Sequence, residues 1–438
     1  MENNQHIVAI EIGSTKIVGA IAEKSVSGYL SVNHLEEEKL TNCVRYGCVQ
    51  NVENTKNAIM RIVKKLENKI KGDITDVYVG INGRSLHSVP TEIDRNLNIA
   101  ESITKQNIEN LKNSAFKEPI ASYEPIDIVP QTYYVDNKEQ PNPVGCCGGS
   151  INIKFNRIVA KPTLKLNLKR ALGALRVKKF LVTSLAMAES ILTEEERTLG
   201  CMLVDMGAET TTVTIFKNGA LNYMATLPFG GRNLTRDLVN GLQNTTEDKA
   251  ETVKKNIAEP LNIEATDLLI DGISSKSAIN YIISRTSEII TNVNKQIEYA
   301  HLKSSDVKTI VLVGGAAKLK GLQAEFKERT QIETRMGTTP PIINILNHEI
   351  NKFEHIQVFS LLDKAASIIA DGSTCVALHS FSTAEDPTIN TAAAPKPEPE
   401  EKEPRKPVPR HAVHHLPGQC GRSAHPAGSG GNFTGLTL

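Results

Sequence analysis

The sequence predicts an α/β protein, because short apolar strands alternate with amphipathic helices along most of the chain. His6–Glu11 and Ile17–Ala22 are apolar segments rich in β-branched residues, and a short polar turn separates them. Apolar residues recur at helical spacing across Val52–Lys71 and again from Ile279 to Ile297. Because both periods occur, an all-helical fold and an all-β fold are excluded.

The other predicted strands lie in the middle and later parts of the sequence. They are Val77–Ile81, Cys201–Val204, Thr211–Phe216, Leu221–Leu227 and Thr309–Val313. An Asn218-Gly219 step separates the third and fourth of these strands. Because Asn and Gly both tolerate positive φ, this step predicts a tight β-hairpin.

Composition excludes several classes of protein. The 438 residues include 50 Lys and Arg against 49 Asp and Glu, and this balance argues against nucleic-acid binding, which needs a dense basic field. The seven cysteines are scattered and form no Cys-x-x-Cys pair, so neither a disulfide framework nor a zinc site is indicated. No apolar run approaches the ~18 residues of a membrane-spanning helix. The polar N-terminus shows no signal peptide, so we expect a cytosolic protein.

The C-terminal part of the sequence changes composition twice. From about Ala384 to Arg410 it is rich in Pro, Glu and Lys, which is typical of an extended, solvated linker. His411–Leu438 contains no Lys, Asp, Glu or Ile and shows no helical or strand period. This last segment could be a natural low-complexity tail. Our hypothesis is that it is the product of a wrong reading frame, because four residue types are lost abruptly. Resequencing the parent DNA decides between them.

Three predicted strands end in glycine turns. Their sequences are Glu11-Ile12-Gly13-Ser14-Thr15-Lys16, Asp205-Met206-Gly207-Ala208-Glu209-Thr210 and Val313-Gly314-Gly315. Glycine permits a tight turn in which successive N–H groups point at one anion, and the neighbouring hydroxyls add donors. The acidic residue that precedes each of the first two glycines suits a hydrated Mg²⁺ ion. The sequence therefore suggests a phosphate site between two turns.

Each turn alone is a weak signal, because an acidic-x-Gly turn is more often only a tight connection between strands. Its recurrence far along the chain favours a duplicated fold whose halves face a cleft. The dinucleotide GxGxxG loop and the Walker loop are both absent. Lys16 either adds a charge to the site or is a solvated strand residue.

The order of these turns resembles the actin, heat-shock-70 and sugar-kinase nucleotide-binding fold, and within it the FtsA family of bacterial cell-division proteins. The resemblance covers about Val8 to Leu378, and its most specific part lies between the first two turns. There Gly80–Arg84, Pro125–Asp136 and Asn142–Gly149 resemble the subdomain that FtsA proteins insert, and Leu185–Glu196 resembles the segment ahead of the second turn.

The resemblance implies an actin-like duplicated fold, with two lobes around a cleft, an inserted subdomain and a disordered C-terminal tail. The implied domains are residues 1–81 and 160–197 with a returning helix at about 363–382 (first lobe), 82–159 (inserted subdomain), 198–235 and 305–362 (second lobe), 236–304 (its outer subdomain) and 383–438 (disordered linker and tail).

The resemblance also implies a site for ATP and Mg²⁺. The implied nucleotide-binding residues are Glu11, Gly13, Ser14, Thr15 and Lys16 (first phosphate turn), Asp205, Gly207 and Thr210 (second), Gly230 and Gly231, Glu251 and Lys254 (adenine side), and Gly314 and Gly315 (adenosine side). Glu11 and Asp205 would hold Mg²⁺ through water. No catalytic residue is implied.

Several positions depart from the family pattern. Glu11 replaces the usual aspartate, Ala208 and Glu209 replace two glycines, Thr212 replaces an acidic residue, and Thr183 and Ser184 stand where a water-orienting Gln or Glu is usual, with Glu189 more than a turn onward. A charge at residue 209 weakens phosphate binding unless the side chain points away. Because water positioning is part of catalysis, we expect nucleotide binding with slow or negligible hydrolysis.

The function that the resemblance implies is that of an adaptor for cell division. Such a protein polymerises into actin-like protofilaments and tethers FtsZ to the cytoplasmic side of the inner membrane at the division site, with FtsZ contacting about Arg236–Leu302. FtsA proteins attach to the membrane through a C-terminal amphipathic helix, and no such helix is recognisable in His411–Leu438. The alternatives are a pilus-assembly actin homologue and, with less support, a metabolite kinase of the same superfold.

Overall fold

The chain folds around two large β-sheets, which a computed structural model describes for residues 5–97, 102–351 and 353–379. The predicted linker and tail at 383–438 lies outside the described residues. The strands are β1 (Gln5–Ile12), β2 (Lys16–Lys24), β3 (Leu30–Lys39), β4 (Val44–Arg45), β5 (Cys48–Val49), β6 (Gly72–Ile74), β7 (Asp76–Ile81), β8 (His87–Asn96), β9 (Glu124–Val135), β10 (Lys138–Gln140), β11 (Ser150–Ala160), β12 (Arg176–Val182), β13 (Cys201–Met206), β14 (Thr211–Lys217), β15 (Ala220–Leu227), β16 (Leu269–Ile270), β17 (Ile273–Ser274), β18 (Thr309–Val313), β19 (Glu333–Met336), β20 (Ile343–Ile345) and β21 (Val376–Leu378).

Helices connect the strands and cover the sheets. They are α1 (Val52–Ile70), α2 (Lys105–Lys117), α3 (Pro162–Leu172), α4 (Thr183–Ile191), α5 (Glu194–Leu199), α6 (Gly231–Gly241), α7 (Glu247–Asn256), α8 (Ser275–Tyr299), α9 (Leu322–Thr330) and α10 (Ile356–Ile368). The alternation of strands and helices confirms the predicted α/β class.

The same strand arrangement occurs in both sheets. The first sheet has the order β12-β7-β1-β2-β3-β20, and the second has the order β10-β9-β11-β8-β15-β14-β13-β18-β19. In the first, β1, β2 and β3 are antiparallel neighbours and β7 runs parallel to β1. In the second, β13, β14 and β15 are antiparallel neighbours and β18 runs parallel to β13. A duplicated topology of this kind is what the recurrence of the glycine turns predicted.

Local signals set the ends of the predicted elements. Asn51 accepts a hydrogen bond from the N–H of Asn54 at the start of α1, and Lys71 ends the helix in the left-handed conformation at φ 53°. Asn218 and Gly219 have φ values of 54° and 77°, so the predicted hairpin between β14 and β15 is present. The long helix predicted from Ile279 to Ile297 is α8. Within the described residues, no helix has the length and apolar character needed to cross a membrane.

In the described part of the chain, three apolar clusters form the interior. The largest packs the first sheet against α1, α3, α4 and α10, and the second packs the other sheet against α6, α8 and α9. The third lies within the inserted segment, where Phe155 is fully buried among Leu111, Ile151 and Ile153. The inserted segment therefore has a small core of its own.

The returning helix is placed differently from the prediction. We expected it at about residues 363–382, whereas α10 spans Ile356–Ile368 and Val376–Leu378 is a strand that pairs with β6. The helix stops because Ile369 is already extended and Gly372 turns the chain with φ 72°. α10 packs on β1 and α4, so the start of this helix lies near the first glycine turn.

Candidate functional site

The two predicted phosphate turns form the same backbone hydrogen bond. The N–H of Gly13 donates to the carbonyl of Lys16 at 2.9 Å, and the N–H of Gly207 donates to the carbonyl of Thr210 at 2.8 Å. The first turn joins β1 to β2, and the second joins β13 to β14. The two turns therefore occupy equivalent places in the duplicated topology.

The acidic residues ahead of the two turns lie close enough to repel each other. Burial raises the pKa of Glu11 to about 7, and the charge of Asp205 adds to this rise. Burial likewise raises the pKa of Asp205 to about 6. Amide groups hold both carboxylates: Asn82 Nδ2 donates to Glu11 Oε1 at 3.3 Å, and Gln357 Nε2 donates to Asp205 Oδ1 at 3.2 Å. The structure thus brings the two acidic residues to one place from distant parts of the chain.

The third turn meets the second at Gly314. A Cβ atom at Gly314 would lie 2.4 Å from the carbonyl oxygen of Met206 and 2.6 Å from Asp205 Oδ1, and the residue has φ 94°. Only glycine fits such a close approach of two backbones with positive φ. At Gly315, by contrast, a Cβ atom would meet no atom of the described chain within 4 Å. Open space therefore begins beside Gly315.

The glycine pair at the start of α6 packs against the second turn. The N–H of Gly231 donates to the carbonyl of Gly207 at 3.0 Å, and the N–H of Arg232 donates to that of Ala208 at 2.7 Å. A Cβ atom at Gly230 would lie 2.6 Å from the backbone of Ala208. The close approach to Ala208 explains the glycine at residue 230, and at Gly231 a Cβ atom would lie 3.0 Å from the Cβ atom of Ala316.

The predicted adenine-side pair is attached to this same helix start. Lys254 Nζ donates to Glu251 Oε2 at 2.6 Å, to the Thr235 hydroxyl at 2.8 Å and to the carbonyl of Gly231 at 3.0 Å. Burial lowers the pKa of Lys254 despite the opposing effect of Glu251. Lys254 therefore joins α7 to α6 beside the second turn.

The remaining residues of the first turn differ in their surroundings. Ser14 is buried, and its hydroxyl accepts a hydrogen bond from the N–H of Gly47 at 3.0 Å. The side chain of Thr15 is exposed. Lys16 Nζ lies 2.7 Å from Glu37 Oε2 on the adjacent strand β3, so Glu37 balances its charge.

Two family models match this chain. One, described as Cell division protein FtsA, matches residues 202–350, and one, described as the SHS2 domain inserted in FTSA, matches residues 83–159. Cell division protein FtsA of Porphyromonas gingivalis is 30% identical over 390 residues, which are 84% of this chain and 80% of that protein. The chain belongs to the FtsA family of cell division proteins.

More distant comparisons agree with this assignment to the FtsA family. Cell division protein FtsA of Escherichia coli K12 is 25% identical over 364 residues, which are 78% of this chain and 86% of that protein. A solved structure titled PilM-PilN type IV pilus biogenesis complex matches with a TM-score of 0.58 and 15% identity, over 82% of this chain and 98% of that chain. At that identity the likeness shows the fold alone. The predicted actin-like fold with an FtsA-type inserted subdomain is confirmed.

In this FtsA family member, the residues ahead of the second turn do not present a carboxylate to it. Thr183 and Ser184 are buried at the start of α4, and the Ser184 hydroxyl lies 3.2 Å from the sulfur of Met224. Glu189 Oε2 instead accepts a hydrogen bond from Lys364 of α10 at 2.5 Å. The acidic side chain of α4, Glu189, therefore points toward α10.

Sequence reasoning missed two polar residues of the candidate site. Asn82 directly follows β7, the parallel neighbour of β1, and the carboxyl ends of parallel strands meet at one edge of a sheet. That rule could have placed Asn82 beside Glu11. Gln357 lies in the first turn of α10, and no motif in the sequence marks it.

The acidic pair of this chain is too small to enclose a metal ion by itself. Within residues 5–97, 102–351 and 353–379, no group of three or more His, Cys, Asp or Glu side chains is placed to hold a metal. Two carboxylates with raised pKa values suit a divalent cation that keeps most of its water and takes its other ligands from a bound molecule.

Replacing Lys254 by methionine is expected to lower the unfolding free energy by about 2–3 kcal/mol, because the buried Gly231 carbonyl and the partly exposed Glu251 carboxylate lose their shared donor. Urea denaturation measures the change. Lys255→Met is the matched control, since Lys255 also pairs with Glu251, at 3.2 Å, but its side chain is 69% exposed. The control should change the unfolding free energy by less than about 1 kcal/mol. Equal losses in the two variants would contradict the anchoring role of Lys254.

Proposed function

We propose that this chain binds ATP with a hydrated Mg²⁺ ion between its two glycine turns. The observation that carries this proposal is the presence of the same backbone hydrogen bond in both glycine turns, with Glu11 and Asp205 close enough to interact. Among the described residues, no lysine or arginine contacts the carboxylate oxygens of Glu11 or Asp205, although the charge of Lys16 acts on Glu11 from a distance. A cation between the two carboxylates would therefore relieve their repulsion.

Backbone donors near the acidic pair support phosphate binding. The amides of Gly13 and Gly207 are used inside their turns. In the described part of the chain, the amides of Ser14, Thr15 and Ala208 have no hydrogen-bond acceptor. These amides, with the Thr15 and Thr210 hydroxyls, would bind phosphate oxygens. When bound, Mg²⁺ would neutralise the phosphate charge and link the oxygens to the two carboxylates through water.

Hydrolysis is expected to be slow. The burial of Thr183 and Ser184 and the ion pair of Glu189 with Lys364 leave no carboxylate from α4 to orient an attacking water. ATP would then act by stabilising one conformation of the cleft, through a shift of populations. Turnover at kinase rates of about 1–100 per second would contradict this assignment.

Gly315→Ala tests where the nucleotide lies. Because a Cβ atom there meets nothing within 4 Å and the residue has helical φ and ψ, the variant should keep its stability within about 1 kcal/mol. If the adenosine lies against this backbone, the added methyl group should lower ATP affinity by at least about 10-fold, measured by titration calorimetry with Mg²⁺. Unchanged affinity would exclude the assigned adenosine position.

We extend the proposal to the division apparatus on the basis of family membership. The chain would polymerise into protofilaments and tether FtsZ to the cytoplasmic side of the inner membrane at the division site. The outer segment at about Arg236–Leu302 supports an FtsZ contact, because Leu268 and Leu269 are 56% and 77% exposed there. Membership of the FtsA family favours this function over pilus assembly and over a metabolite kinase.

Leu269→Asp is expected to weaken co-sedimentation with FtsZ polymers by at least about 10-fold, because it places a charge on the exposed apolar surface. Val26→Asp is the matched control, since Val26 is 93% exposed in the turn between β2 and β3. Equal binding by both variants would exclude this surface as the FtsZ contact. Liposome co-sedimentation of the same samples tests membrane attachment separately.

A further inference from the structure

A small hairpin touches both glycine turns. β4 and β5 are joined by Tyr46 and Gly47, which have φ values of 51° and 71°. The N–H of Gly47 donates to the Ser14 hydroxyl of the first turn at 3.0 Å. The N–H of the preceding residue, Tyr46, donates to Glu209 Oε2 of the second turn at 2.7 Å. Two adjacent amides thus connect the two turns.

Glu209 is the centre of a cluster of arginines. Its side chain is 1% exposed, and its Oε1 atom lies 3.0 Å from Arg45 Nε, 3.0 Å from a terminal nitrogen of Arg236 and 3.5 Å from one of Arg232. Arg45 belongs to β4, beside the first sheet, whereas Arg232 and Arg236 belong to α6, beside the second. The carboxylate of Glu209 therefore points at arginines from both the hairpin and α6. This is the charge that, from the sequence, would weaken phosphate binding unless it pointed away.

The conformation of Tyr46 shows that these contacts constrain the hairpin. Positive φ is unfavourable for an aromatic residue and persists only where the surroundings fix it. The Tyr46 ring lies 5.7 Å from the guanidinium of Arg45 and 5.4 Å from that of Arg84. A Cβ atom at Gly47 would lie 2.7 Å from the Cα atom of Gly83, so the turn is packed directly on the chain after β7.

We propose that Glu209 is a positioning residue, an anionic latch that holds the β4–β5 hairpin against α6 across the two glycine turns. The latch goes beyond the proposed nucleotide binding, because all of its partners are side chains and amides of this chain and it needs no bound phosphate. It fixes the Ser14 hydroxyl through Gly47 and offsets part of the positive charge of the three arginines.

Amide hydrogen exchange without nucleotide tests the latch and is independent of whether ATP binds. Glu209→Gln keeps the shape of the side chain and removes its charge, and Arg236→Gln removes one cation whose side chain is 33% exposed. In each variant, the amide hydrogens of the peptides that cover residues 43–49 should exchange at least about 10-fold faster than in the wild type. The double variant should be no faster than the faster single variant, since both remove the same contact. Arg236→Lys should restore most of the protection.

Glu247→Gln is the control, because Glu247 contacts Arg232 at 2.5 Å from the outer side and does not touch the hairpin. It should leave exchange at residues 43–49 unchanged. Slow exchange of α8 in every variant reports that the fold is intact. If Glu209→Gln does not fold, the comparison of Arg236→Gln with Arg236→Lys tests the latch. Unchanged exchange at residues 43–49 in Arg236→Gln, or independent effects of the two substitutions, would overturn the proposal.

Discussion

Replacing Gly314 by alanine is expected to lower the unfolding free energy by about 3–5 kcal/mol and ATP affinity by at least about 100-fold. The added Cβ atom would overlap the Met206 carbonyl oxygen at 2.4 Å and Asp205 Oδ1 at 2.6 Å. An alanine would also have to adopt φ 94°, which costs a non-glycine residue about 1–2 kcal/mol. The turn must therefore move, and Asp205 moves with it.

Gly315→Ala is the control for this prediction, because it adds the same methyl group one residue later, in open space and with favourable φ. Urea denaturation of both variants should show a loss of stability in Gly314→Ala alone, while calorimetry should show weaker ATP binding in both. If Gly314→Ala were as stable as the wild type, the close approach of the second and third turns would be wrong.

The parts of the fold that the sequence predicted depend on short-range patterns. The hairpin at Asn218-Gly219 follows from two residues that tolerate positive φ, and α1 follows from the helical period of its apolar residues. The equivalence of the turns at Gly13 and Gly207 was visible because each turn forms its hydrogen bond within four residues. Such features are determined by residues that are close to one another in the sequence.

The parts that the sequence did not predict depend on contacts between distant residues. Gln357 contacts Asp205 across 152 positions of the chain, and Glu209 contacts Tyr46 across 163. Glu209 was expected to weaken phosphate binding unless its side chain pointed away, because its charge was visible in the sequence and its arginine partners were not. The position of α10 was wrong for a related reason: its apolar sequence suits a buried helix, but no capping residue marks where it begins.

Burial of the acidic pair at the glycine turns predicts a pH dependence with a definite sign. The pKa of Glu11 rises from 4.5 to about 7 on folding, and that of Asp205 from 3.8 to about 6. At a pH between the ordinary and the raised pKa of each group, the folded state binds more protons than the unfolded state. The pair therefore contributes stability that is complete below about pH 4 and is lost as the pH rises toward 7.

Glu11→Gln is accordingly expected to be more stable than the wild type at pH 8, by about 2–3 kcal/mol, and nearly equal to it at pH 5, because the amide cannot ionise. Chemical denaturation without divalent cations at the two pH values measures this difference. Glu37→Gln is the matched control: Glu37 is paired with Lys16 and its pKa is lowered, so its loss should give no gain at pH 8. Adding Mg²⁺ together with ATP at pH 8 should stabilise the wild type more than Glu11→Gln. If the wild type instead gained stability relative to Glu11→Gln between pH 5 and 8, the two carboxylates would not share the buried site on which the nucleotide assignment depends.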